Sequence, residues 1–200
     1  YTYPDATLAN GLVLSNMLLN RIRTRTFKGT GQTSSLAYHY SGNTIWPVSV
    51  SRSFGEGPQT TLFTLDRYDE RGNLLQSTDP NGISTTYLWG YGGTRLVAEI
   101  RNAAYQQVAN VLGQARIDAM TDRITLSESD IAALEGLRSA AALGDTQITT
   151  YTHHPIFGVT SRTDPRGVRT SYLYDETGRI KEIADDAGNP VVAYDYKYRK

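Results

Sequence analysis

Asp164-Pro165-Arg166-Gly167-Val168-Arg169-Thr170-Ser171-Tyr172-Leu173-Tyr174 restates an earlier stretch, Asp79-Pro80-Asn81-Gly82-Ile83-Ser84-Thr85-Thr86-Tyr87-Leu88-Trp89. A repeated supersecondary unit points to an array rather than a pocketed enzyme. The repeat has a second half. Tyr68-Asp69-Glu70-Arg71-Gly72-Asn73-Leu74 matches Tyr174-Asp175-Glu176-Thr177-Gly178-Arg179-Ile180, and Asp185-Asp186-Ala187-Gly188 has the same frame. Asp69, Asp79, Asp164, Asp175 and Asp185 therefore each open a four-residue turn that closes on Gly72, Gly82, Gly167, Gly178 or Gly188. Pro80 and Pro165 occupy the second position in two of them. This is type I turn chemistry: the aspartate bonds local backbone donors, proline pre-sets its own φ, and glycine accepts the reversed φ at the exit. The segments between turns are of strand length and alternate with period two. Val168, Thr170, Tyr172 and Tyr174 share one face, as do Ile83, Thr85, Tyr87 and Trp89. The pattern predicts an antiparallel meander of hairpins with an aromatic face.

Tyr-Asp-x-x-Gly followed by a short β-branched and aromatic strand resembles the YD repeat of the Rhs family, large bacterial surface or secreted proteins related in architecture to the animal teneurins. The resemblance covers residues 62–102 and 148–200 and extends weakly to Tyr38 and Tyr40. It implies a long β-strip of hairpins wound into a hollow shell, which in some members encloses a toxic C-terminal domain. It also implies an extracellular or cell-surface location, with the remainder of a longer Rhs-like polypeptide as partner. Some Rhs proteins cleave themselves with paired aspartates beyond the repeats. This sequence runs to Lys200 in a predicted strand, Val192 to Tyr198, without that segment, so self-cleavage is not carried over.

Two hundred residues suffice for one domain with a real core or for two small ones. Twenty basic residues balance twenty acidic ones, so no global field draws nucleic acid or anionic lipid. The absence of cysteine excludes disulfides and thiol chemistry. No apolar run reaches the roughly 20 residues of a bilayer span. The chain starts at Tyr1 with no signal-like segment, and is read as a piece of something longer. Fourteen tyrosines against four phenylalanines suit half-wet β surfaces, where the ring packs and the hydroxyl finds a polar group.

The chain divides into residues 1–61, an N-terminal helix and irregular β region; 62–101, a first hairpin unit; 102–147, a helical insertion; and 148–200, a second hairpin unit, together one structural domain. The N-terminal helix falls within residues 7–23, on the spacing of Leu8, Leu12, Val13, Met17 and Leu18. In the insertion, Asn102 is the predicted N-cap of a helix through Leu112, ended by Gly113. Ser127 with Asp130 starts a second helix over Ile131 to Leu143, ended by Gly144. This helical pair covers or caps the strip and explains the separation of the two copies. The fold class is mainly β, an antiparallel hairpin meander with an inserted helical pair, α+β by content.

No residue pattern demands a cofactor. His153 and His154 are adjacent, so on a strand they face opposite ways and cannot share a metal; with His39 they are read as surface or turn histidines. Lys28-Gly29-Thr30-Gly31 has the wrong order for a phosphate loop and is read as a turn. The recurring aspartates sit where turns need them, which ranks a glycoside hydrolase last. Trp46, Trp89 and Tyr91 are the candidate sugar-stacking rings of a carbohydrate-binding alternative, weighed against cross-strand packing. Arg166, Arg169 and Arg179 are candidate cation–π partners. The leading reading is a structural scaffold.

Overall fold

The computed structural model describes residues 1–5 and 7–197. The chain forms two compact units, Tyr1–Ser84 and Thr85–Lys200.

In the first unit a short helix, α1 (Asn10–Leu14), precedes strands β1 (Arg23–Lys28), β2 (Gly31–His39), β3 (Ser49–Phe54), β4 (Thr60–Tyr68) and β5 (Leu74–Thr78). Each strand pairs antiparallel with the next. Lys28 and Gly31 face each other across β1 and β2, so the glycine-rich segment is a two-residue hairpin turn. Helix α1 is the short helix expected within residues 7–23. Asn16 adopts φ 57, which ends the helix, and Leu14, Leu18 and Leu19 are exposed, so no continuous apolar stripe exists to bury. Ala9, Leu12 and Ile22 form a small core on which Met17, Tyr40 and Ile45 pack.

The second unit holds most of β6 (Ser84–Gly90), then β7 (Arg95–Arg101), β8 (Gln147–His154), β9 (Gly158–Thr163), β10 (Arg169–Tyr174), β11 (Ile180–Ala184) and β12 (Pro190–Ala193), again antiparallel in chain order. The protein is thus mainly β, a hairpin meander with a helical insert. Strand pairing stops at Ala193 rather than continuing through Lys197, apart from one backbone bond from the Tyr194 N–H to the Lys181 carbonyl at 2.9 Å. Tyr198, the predicted end of that strand, lies outside the described residues.

The insert leaves β7 after Arg101 and returns at Gln147, and these two residues are paired directly. The excursion therefore interrupts the chain without interrupting the ladder. It contains three α-helices rather than two: α2 (Tyr105–Leu112), α3 (Gln114–Asp122) and α4 (Glu128–Gly136), followed by 3-10 turns at Leu137–Ser139 and Ala141–Leu143. Ala104, not Asn102, caps α2; Asn102 sits at φ 66 and spends its amide on the Asp145 carbonyl, 3.1 Å away. Gly113, at φ 84, ends α2 and immediately starts α3. Ser127 and Asp130 form the expected capping box, one turn ahead of Ile131. Burial pushes the Asp130 carboxyl up, but hydrogen bonds from Ser127 and Arg123 outweigh it and hold the group below its ordinary value.

These helices cover the face of β6 that carries Thr86, Leu88 and Gly90, all buried. Tyr87 and Trp89 lie on the other face, so the insert covers the side opposite the aromatic row. Leu88, Val97, Ile100, Val108, Ile117, Met120, Leu134 and Ile148 make the resulting core. Arg138 ties the insert to the hairpins. Its guanidinium reaches Glu135 at 2.8 Å and donates to the carbonyls of Ile148, Thr163 and Asp164 at 2.9, 3.1 and 3.1 Å.

Candidate functional site

The five Asp-x-x-Gly segments share one hydrogen-bonding scheme. The glycine N–H donates to the carbonyl of its aspartate at 2.9–3.1 Å, and the aspartate N–H donates to the residue four positions on at 2.8–3.0 Å. Each carboxylate accepts two further backbone N–H groups: from Arg71 and Asn73 on Asp69, Asn81 and Ile83 on Asp79, Arg166 and Val168 on Asp164, Thr177 and Arg179 on Asp175, Ala187 and Asn189 on Asp185. The glycines lie between φ 80 and φ 86. This is a three-residue hairpin loop, a type I turn closed by a left-handed residue in a bulge. The donors stabilise the ionised acid. In Asp175 the Thr177 hydroxyl and the Arg179 amide hold the carboxyl well below the usual range. Val168 does the same first for Asp164, and Asn189 first for Asp185. These carboxylates are occupied by their own turns.

At Asp69 and Asp175, where tyrosine precedes the aspartate, the surroundings add a clamp. Tyr68, the last residue of β4, donates its hydroxyl to the Pro47 carbonyl at 2.8 Å; Tyr174, the last residue of β10, donates to the Val159 carbonyl at 2.7 Å. Each bond ties the end of one strand to the start of the strand before it. A second ring then covers the turn. Trp46, from the β2–β3 connection, stacks on Tyr68 with centroids 5.9 Å apart, and its ring atoms stand 2.2, 2.5 and 2.7 Å from where a Cβ on Gly72 would lie. Phe157, from the β8–β9 turn, lies 5.8 Å from the Tyr174 ring and 2.8 Å from the corresponding point on Gly178. His154 stacks on Phe157 at 4.3 Å. In a meander, alternate turns lie at the same end, so each covering ring comes from the previous turn at that end. Burial pushes the Tyr68 phenol up to about 12 and raises that of Tyr174.

The arginines divide. Arg179 lies over the Tyr196 ring at 4.1 Å while pairing with Asp175 at 2.6 Å. Arg166 pairs with Asp164, and Arg169 offers its backbone N–H to Asp186. Tyr196 makes a similar bond beyond the end of β12, donating to the Ile180 carbonyl at 2.8 Å from a position two residues after Tyr194, where the tyrosine-aspartate motif would place it.

Trp46 is held in the clamp of the first unit, and Trp89 lies half-buried on β6 of the second. Tyr91 is only 9% exposed, at φ 56, with its hydroxyl accepting the His153 N–H at 2.8 Å and its ring edge-on to the His153 imidazole. His153 is accordingly half-buried rather than a surface histidine, and among the described residues no histidine and carboxylate cluster could hold a metal. Sequence reasoning missed Phe157 and Arg138 and placed His153 at the surface. The covering rings stand at different sequence distances from their glycines in the two units, because β4 is longer than β10 and Trp46 lies further ahead of β3 than Phe157 does of β9, so no fixed spacing announces them.

Residues 68–106 and 158–190 match the model of the RHS repeat. Both matched segments contain a tyrosine-aspartate turn together with an aspartate-proline or aspartate-aspartate turn. The chain carries RHS repeats. No curated protein matches it. Among solved structures it is similar to a chain in the crystal structure of TcdB2-TccC3-Cdc42, with 15% identity and a TM-score of 0.43 over 92% of this chain, and to one in that of TcdB2-TccC3, with 16% identity and a TM-score of 0.43 over 92%. This chain spans 8% of each of those chains. Both tyrosine-aspartate turns fall within the matched segments, and in each the clamp fastens one hairpin to the one before it.

Proposed function

We propose that this chain is a structural segment of an RHS-repeat wall that encloses or displays an effector belonging to the same longer polypeptide, in a secreted or surface-exposed bacterial protein, and that it performs no catalysis. The observation that carries this reading is the disposition of the recurring acids. All five bond their own turns, while the tyrosines that precede two of them are spent on locking strands together. Such a geometry propagates by adding hairpins, and the exposed strand β12 offers the edge on which the next would pair.

The carbohydrate-binding alternative draws nothing from the buried Tyr91 or the clamped Trp46. A glycosidase would need a positioned pair of free carboxyl groups, which the turn acids are not. The test is limited proteolysis of the protein expressed with its natural flanking polypeptide. A flanking segment resistant with the wall intact, and cut once the wall is unfolded, supports enclosure. A segment that is cut but co-purifies with the wall supports display. One cut at the rate of the isolated segment and separating from the wall overturns the proposal.

A further inference from the structure

Strands β7 and β8 are paired from Arg101 and Gln147 as far as Ala98 and Thr150, and side chains replace the ladder beyond that point. The His153 imidazole Nε2 meets the Leu96 carbonyl at 2.8 Å, and the His153 backbone N–H donates to the Tyr91 hydroxyl at 2.8 Å. A carbonyl oxygen can only accept, so Nε2 carries the proton and Nδ1 is the bare nitrogen. That nitrogen is buried and has no hydrogen-bond partner among the described residues. The Tyr91 ring stands edge-on at 5.4 Å, itself buried and held at φ 56.

We propose that His153 is a proton-operated latch: protonation of Nδ1 expels the imidazole from beneath Tyr91 and opens the seam between β7 and β8 at its Leu96 end. A second ring proton would create a buried donor without an acceptor and a desolvated charge. The neighbours make this worse. Arg95, next to Leu96 on β7, carries the same sign and acts directly on the ring. Tyr91 in the β6–β7 turn is neutral, its ionisation pushed up by burial; Tyr151, on β8, lies 6.5 Å away. His154 is turned toward Phe157, and among the described residues no carboxylate pairs with the His153 ring.

Burial holds the His153 pKa below its ordinary value; Arg95 adds to this, and the Leu96 bond opposes it. The unfolded histidine takes its proton near pH 6.5. Stability therefore falls as pH drops below about 6.5 and levels off once the folded site is itself protonated.

The experiment combines NMR titration of the imidazole nitrogens with amide exchange, expressed as protection factors, between about pH 7.5 and 5. The protein is compared with His153→Gln, whose side-chain amide can still reach Leu96 but does not titrate. The expected result is a His153 titration below the ordinary histidine value. Protection at the amides of His153, Gly92 and Gly93 should fall about tenfold or more with the same midpoint, and stay flat in the glutamine variant. Unchanged protection through the His153 titration overturns the proposal. So does an equal loss in the variant, or a midpoint that follows His39 or His154. If the variant does not fold, coincidence of the two midpoints in the native protein still decides.

Discussion

Gly72 and Gly178 lie under aromatic rings, whereas Gly82, Gly167 and Gly188 close turns of the same hydrogen-bonding scheme with nothing within 4 Å of where a side chain would begin. The same local sequence device, aspartate to glycine, thus has two structural fates. At the open turns the aspartate and glycine suffice, and each hairpin is closed locally. At the tyrosine-aspartate turns the local device is also fastened to the preceding hairpin, by a hydroxyl on a carbonyl and a ring on a glycine. Closing a hairpin and joining hairpins into a wall are separable tasks. Different residues of one motif perform them.

Alanine at each glycine is the severest way to break that distinction. At the open turns Gly82→Ala, Gly167→Ala and Gly188→Ala should each cost about 1 kcal/mol, the strain of a Cβ at left-handed φ. Gly72→Ala and Gly178→Ala must also displace a packed ring, and should cost about 2–4 kcal/mol in denaturant unfolding. Equal losses at all five positions would show that the rings do not clamp. A double-mutant cycle sharpens the point: with Trp46→Ala already present, Gly72→Ala should cost no more than an open-turn substitution, a coupling of about 1–2 kcal/mol.

The hydroxyl half of the clamp carries less. Tyr68→Phe removes the bond to Pro47 and should cost about 1 kcal/mol near neutral pH. It has a pH signature too. The folded Tyr68 phenol is raised to about 12 against an ordinary value near 10, so its contribution is complete below about pH 10 and is lost as pH rises toward 12. Alkaline unfolding followed by phenolate absorbance should show this step in the native protein and lack it in Tyr68→Phe. The smallest effect lies at the opposite extreme of pH. Asp164, Asp175 and Asp185 are all depressed, so their turns hold above the ordinary carboxyl value and weaken as pH falls below about 4. Asp175→Asn should flatten part of that acid slope, which denaturation midpoints between about pH 5 and 2 would reveal.

The hairpins were legible because everything that makes them is local. An aspartate reaches amides two and four residues on, and a glycine supplies the φ that its own turn needs. The insertion was legible as helical, and its capping box could be read from Ser127 and Asp130. Its division into three helices depended on Gly113 starting a helix as well as ending one. The short helix within residues 7–23 was legible in its apolar spacing, but its end was not: the chain turns out of the helix at Asn16 and leaves Leu18 and Leu19 in solvent.

The sequence by itself determined where the polypeptide bends, which segments extend between bends, and that two copies of one unit flank an insertion, since these rest on interactions spanning four residues or fewer. Only the tertiary structure decided which turns are covered, that Tyr91 lies inside over His153, and that Arg138 binds the insert to the hairpins. Those outcomes depend on residues far apart in the chain, brought together by strand register and loop length, and neither leaves a periodic mark in the order of amino acids.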